Sequence, residues 1–181
     1  ENIIGNLSET NVKIKQKLAE YSLFEPECNK YIGAAKSTIS EFLSLENFYL
    51  TQILINETII NEKIFTLYEL TDSDKVIVIA KSGISLGTFP VNPLAKQAYL
   101  SEVVTDFPIN NIRDYIQNLP EKEYAIQERQ IIVQEFPNLY QGNNNLEEFC
   151  IRHQINPIDV WHWFKESNVI PKQRMNTLAM E

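Results

Sequence analysis

Residues 45–74, LENFYLTQILINETIINEKIFTLYELTDSD, decide how this chain is read. Ile53, Ile60, Ile64, Leu67 and Leu70 recur at helical spacing, while Glu57, Asn61, Glu62 and Lys63 take much of the opposite side. The pattern predicts one long amphipathic helix. At its end Thr71 is followed three residues later by Asp74, a hydroxyl and a carboxylate spaced to satisfy each other's backbone N–H groups at a new helix N-terminus. A second helix is therefore expected from about Asp72. Its Val76-Ile77-Val78-Ile79 run is β-branched and suits a buried strand as well as a helix. The cap before the run and Gly83 after it decide for helix.

Working outward, residues 8–24 carry Val12, Ile14, Leu18 and Tyr21 among lysines, an amphipathic helix with Ser8 or Thr10 as its cap. Pro26 separates it from the next apolar stripe, formed by Tyr31, Ala35, Ile39, Phe42 and Leu43. Those two helices are expected to pack antiparallel against the long one. Beyond Gly83, Gly87, Pro90 and Pro93 forbid a long element. Pro93 opens a short helix through Leu94, Ala98, Tyr99 and Val103, and Asn110 or Asn111 caps another with Ile112, Tyr115, Ile116 and Leu119. Residues 121–136 read as a helix with Tyr124, Ile131 and Phe136 on one face and Glu123, Glu128, Arg129 and Glu135 solvated. The loop at 141–145, QGNNN, marks a boundary between a helical domain at 1–140 and a C-terminal helical subdomain at 146–181. The expected class is all-α: a multi-helix domain with a long central amphipathic helix and a C-terminal helix-turn-helix-like unit.

Composition narrows the function classes. The 181 residues are 44% hydrophobic and 22% charged, which suits a folded chain rather than a disordered tail. Sixteen Lys and Arg face 24 Asp and Glu, a net charge of -8 with no basic run, and this balance argues against an autonomous nucleic-acid-binding module. Cys28 and Cys150 form no CxxC pair and read as free thiols of a reducing compartment. No apolar run reaches the roughly 20 residues that span a bilayer, and the N-terminus lacks a signal-peptide layout, so a soluble cytoplasmic chain without a membrane role is expected. Glu1 rather than Met stands first and residues 173–181 read as a helix cut short, which suggests a piece of a longer protein.

No catalytic, cofactor-binding or metal-ligating residue can be assigned. His153, His162 and Cys150 lack any metal-ligand spacing, and KSGISLG at 81–87 has neither a phosphate-loop nor a dinucleotide pattern. Glu147-Glu148 and Glu121 with Glu123 read as helix-start charges rather than acid/base pairs. The tail is more informative. In EEFCIRHQINPIDVWHWFKES at 147–167, Asn156 and Pro157 join two helices as in a helix-turn-helix. The expected exposed positions of the second helix, Asp159, His162, Lys165 and Glu166, are poor for reading bases, so a packed helical corner is favoured over DNA recognition. Lys172, Gln173 and Arg174 form the one compact basic cluster nearby, a candidate phosphate contact, and Trp161, Trp163 and Phe164 are candidates for a partner-binding groove.

Residues 61–78, NEKIFTLYELTDSDKVIV, resemble a sequence that recurs in large bacterial adenine-N6 DNA methyltransferases of the type IIG restriction-modification and BREX phage-defence kinds. There a helix ends in an aromatic-x-Leu-Tyr-Gly-Leu-Thr-like sequence before an acidic helix start. The matching residues are Ile64, Phe65, Leu67, Tyr68, Leu70, Thr71 and Asp74; Glu69 stands where the family commonly has Gly, which points to an uninterrupted helix up to the turn or a different local join. Residues 149–181 also resemble a segment of such enzymes. The resemblance implies a methyl transfer from S-adenosylmethionine in the parent, but the Asn-Pro-Pro-Tyr/Phe motif and the cofactor loop are absent: Asn92-Pro93 and Asn156-Pro157 are each followed by an aliphatic residue. It thus implies a noncatalytic helical spacer that orients catalytic and DNA-recognition domains. Its partners would be those other domains, with DNA contacted weakly at most. The alternative is a stand-alone helical protein–protein interaction module.

Overall fold

Between Ala35 and Leu67 the sequence contains neither proline nor glycine, and the chain forms a single helix there. The structure, a computed structural model, describes residues 2–20, 35–141, 145–167 and 169–171, with residues 35–38 described as backbone only. Its described residues form eight α-helices: α1 (Ile3–Glu20), α2 (Ala35–Leu67), α3 (Asp72–Ser82), α4 (Pro93–Ser101), α5 (Arg113–Gln117), α6 (Ile126–Gln134), α7 (Leu146–His153) and α8 (Pro157–Ser167). Among them there is no sheet, only an isolated parallel bridge between Val91 and Glu121. The all-α class expected from the sequence is the one observed.

α2 differs from its expected form at both ends. Ile39, Phe42 and Leu43, assigned to a separate helix, belong to its first turns. From Phe42 to Ile59 it is buried nearly all round: Phe48, Tyr49, Ile53 and Ile55 are at most 5% exposed, and so are the polar Asn47, Thr51, Gln52, Asn56 and Thr58. A helix enclosed on every side is a core axis rather than an amphipathic cover. Its polar groups are matched by distant residues. Asn56 donates to Asn11 Oδ1 at 2.7 Å, Thr51 to the Pro157 carbonyl at 3.3 Å, Tyr140 donates to Asn47, and Thr58 Oγ1 accepts the Gly87 N–H at 3.0 Å. Gly87 must be small, since a Cβ there would sit 2.7 Å from Thr58 Oγ1.

Two apolar clusters flank this axis. One joins Leu7 and Ile14 of α1 to Phe48 and Ile53 of α2, Tyr99 of α4, Ile116 of α5 and Trp161 of α8. The other joins Phe42 and Leu43 of α2 to Ile132 of α6, Phe136, Phe149 of α7, and Trp163 and Phe164 of α8. α8 feeds both clusters and so packs inside the same core as α2. α1 buries Leu7, Asn11 and Ile14, and Val12 is 54% exposed; its start is set by Asn2, whose Oδ1 accepts the Gly5 N–H at 3.0 Å, not by Ser8 or Thr10. α6 is shorter than expected. It buries Ile132, leaves Ile131 61% exposed, and places Tyr124 before and Phe136 after the helix.

The join between α2 and α3 follows from two backbone bonds. Glu69 N–H donates to Thr66 O at 3.1 Å and Leu70 N–H to Phe65 O at 3.0 Å, with Glu69 at φ +50°. This is the Schellman arrangement, which turns the chain through a left-handed residue and occupies carbonyls left open at a helix C-terminus. A β-carbon is strained there and glycine is not. Glu69→Gly is therefore expected to stabilise the fold by about 0.5–1 kcal/mol, raising Tm by about 2–3 °C in calorimetry. An unchanged or lowered Tm would contradict the left-handed assignment.

α3 then begins as the cap predicts: Asp74 N–H donates to Thr71 Oγ1 at 3.3 Å and Thr71 N–H to Asp74 Oδ2 at 3.0 Å. Gly83, at φ +88°, ends it. Yet α3 buries no residue fully. Leu67 and Tyr68 just before it are also exposed, so α2 leaves the core after about Ile60 and carries α3 outward.

Candidate functional site

Three regions were candidates for function, and burial separates them. The first is the α7–α8 corner. α7 ends at Gln154, which is left-handed at φ +49°, and Ile155 N–H donates to Cys150 O at 3.1 Å. Asn156 then caps α8, with Oδ1 accepting the Ile158 N–H at 3.0 Å while Nδ2 donates to Phe89 O at 2.7 Å. The layout is that of a helix-turn-helix, but its second helix cannot enter a groove. Trp161, Trp163 and Phe164 are 1–3% exposed and Asp159 is fully buried. This corrects two expectations: Asp159 is not an exposed position, and the three aromatic rings are core rather than a partner-binding groove. Helical periodicity could not reveal this, because the packing comes from α2 and α4. Trp161 lies edge-on to Phe48 and Tyr99, at 5.7 and 5.1 Å between ring centres. Lys172, Gln173 and Arg174 lie outside the described residues.

Asp159 is a strongly perturbed carboxyl of this corner. Burial pushes its carboxyl up to about 7, against the lowering influence of the Asn92 N–H at 2.8 Å, the Tyr124 hydroxyl and Lys122. The bond from Asn92 ties α8 to the turn that starts α4, where Asn92 Oδ1 in turn accepts the Leu94 N–H at 3.0 Å. This carboxyl is thus a structural bridge. His153 closes α7 with its ring 4.5 Å from Phe149, and His162 stands 3.5 Å from Glu166; burial lowers the pKa of both imidazoles. Cys150 is a buried free thiol, pushed up by burial and so a poor nucleophile. Among the described residues no cluster of three metal-ligating side chains occurs. Glu147 and Glu148 sit in the first turn of α7, and Glu121 pairs with Lys96 at 2.9 Å.

The second region is a cleft of about 660 Å³ between α6 and α8, lined by Tyr124, Arg129, Gln130, Val133, His162 and Trp163. Its aromatic rings are already engaged by the protein's own cations, Lys122 over Tyr124 at 4.2 Å and Arg129 over Trp163 at 5.3 Å. Arg129 also pairs with Glu166 and so ties α6 to α8 across the cleft. These contacts are ones a helix–helix junction needs.

The third region is the projection formed by the end of α2 and by α3. Leu67 is 69% exposed, Tyr68 71%, Val76 66% and Ile77 56%, an apolar density unusual for a solvated helix. Neither periodicity nor composition distinguishes these residues from core. The signal is the contrast between an apolar run and the exposure of Val76 and Ile77 on the outer side of the helix. Comparisons of the chain with family models, with curated proteins and with solved structures gave no match. Among the described residues no helix is long and apolar enough to cross a membrane.

Proposed function

We propose that this chain is a noncatalytic helical scaffold within a bacterial DNA (adenine-N6) methyltransferase of a restriction-modification or phage-defence system, spacing the catalytic and DNA-recognition domains. The observation that carries this reading is the α2–α3 join. Where the resembling sequences have glycine, this chain has Glu69, and its backbone adopts the left-handed conformation that glycine prefers, at φ +50°. A left-handed backbone at this position is what a glycine there would serve, and this supports the reading. A stiff α2, 33 residues and about 50 Å long by helical rise, suits a spacer. S-adenosylmethionine would belong to the catalytic domain of the parent enzyme, in the bacterial cytoplasm, and no residue of this chain is assigned to it.

The exposed side of α3 supports a second reading, a stand-alone helical protein-interaction module. The flanking gene sequence separates the two. A continuous reading frame encoding Asn-Pro-Pro-Tyr beside this segment supports the methyltransferase, and an initiator and a stop codon immediately around it exclude that parent. Under either reading this chain makes few phosphate contacts, so it is expected to bind duplex DNA weakly or not at all at ~150 mM salt. Submicromolar binding in a fluorescence-anisotropy titration at that salt would overturn the expectation.

A further inference from the structure

We propose that α3 is a self-association surface, pairing antiparallel with α3 of a second copy of this chain about a twofold axis. Successive residues of a helix turn by about 100°, which places Ser73, Val76, Ile77 and Ala80 on one side of α3. Val78, Ile79 and Ser82 lie toward α2, where they line a small pocket with Leu54, Thr58 and Phe65. The Val76–Ile77–Ala80 side therefore points away from the body, which agrees with the exposure of Val76 and Ile77. Ser73 and Ala80 are small, so two such helices can approach closely with Val76 and Ile77 filling the seam.

Charge selects the occupant. Asp74 and Lys81 share one edge of that side, seven positions apart, at opposite ends of the helix. In an antiparallel pair the same edges meet head to tail, so Lys81 of each copy faces Asp74 of the other and both ion pairs form together. Among the described residues Lys81 has no ion-pair partner, whereas Lys75, toward the α2 side, is held by Asp72 at 3.2 Å. The antiparallel arrangement also sets the helix dipoles against each other favourably. The charge of -8 opposes association of whole chains, but around this surface three cations (Lys63, Lys75, Lys81) face four anions (Glu62, Glu69, Asp72, Asp74), so the local repulsion is small. An interface built on one short helix lies at the small end of the range for specific complexes, so association is sought at micromolar and higher concentrations.

The test is sedimentation equilibrium of the full chain from about 1 to 300 μM, a range that brackets micromolar affinity. The expected result is a reversible shift from the 21.0 kDa monomer toward twice that mass. Ile77→Asp should abolish the shift, Lys81→Glu should weaken it at least tenfold by setting like charges against each other, and Lys81→Arg should preserve it. These side chains are exposed, so helix content and Tm of the variants should stay near wild type. A wild-type chain that remains monomeric throughout the range, or a dimer indifferent to Ile77→Asp and Lys81→Glu, overturns the proposal.

Discussion

Trp161→Ala is expected to cost about 3–5 kcal/mol, a large part of the roughly 5–15 kcal/mol that holds a domain of this size folded. Trp161 is 1% exposed, and its ring meets Phe48 of α2 and Tyr99 of α4, which stack on each other at 4.4 Å. Tyr99 in turn donates its hydroxyl to the Phe48 carbonyl at 3.2 Å. Removing the indole thus opens a cavity where three helices meet, and rigid neighbours on all sides limit its collapse. Trp161→Phe should behave differently. It keeps a ring in the cluster and deletes an indole N–H that has no protein acceptor among the described residues, so its cost should be about 1–1.5 kcal/mol. Urea denaturation of both variants measures the contrast. Equal, small losses for the two would mean that α8 is not seated in the core as described.

Asp159 gives the second large effect, in the pH dependence of stability. A carboxyl has a pKa near 3.9 in an unfolded chain, and burial raises that of Asp159 to about 7 in the fold. The native state therefore holds this proton more tightly, and stability falls with rising pH wherever the native state binds more protons than the unfolded one. The contribution of this group is fully present below about pH 4 and is lost as the pH climbs to about 7. It amounts to about 4 kcal/mol across that window. His153 and His162 act in the opposite sense, since their lowered pKa values make the folded state lose stability as the pH falls through the histidine range. The informative quantity is therefore the difference between wild type and Asp159→Asn, whose amide oxygen can still accept the Asn92 N–H. That difference should grow in favour of the variant from pH 4 to 7 and stay level above it. Parallel stability curves for the two proteins would refute a neutral, buried Asp159.

The local grammar of the chain was legible, and its tertiary consequences were not. Thr71 with Asp74, Pro93, and Asn156 before Pro157 each mark a helix start, because a cap is a bond between residues two or three positions apart and proline fits a first turn. The continuity of α2 from Ala35 through Leu45 was not legible, because the stripe ending at Phe42 and Leu43 and the pattern from Leu45 each read as a complete helix. The stripe changes because α2 is enclosed by different neighbours along its length. Asn47, Thr51 and Asn56 lie inside because their partners come from Tyr140, Pro157 and Asn11, up to 106 positions away. Val76 and Ile77 illustrate the converse. They carry the composition of a core and stand outside it, since among the described residues no element folds over that side of α3. The candidate partner surface at Trp161, Trp163 and Phe164 failed for the same reason: aromatic content marks residues that need burial without saying whether the chain itself supplies it.

α8 is inner packing against α2, and α3 stands outside that core. Native-state amide hydrogen exchange at low protein concentration tests this most directly. The account predicts that amides of α8 from Trp161 to Phe164 and of α2 from Phe48 to Ile59 exchange through one shared opening near the global unfolding free energy, with α3 exchanging far faster. Exchange of α7 and α8 through a separate, lower-energy opening while α2 stays protected would contradict it.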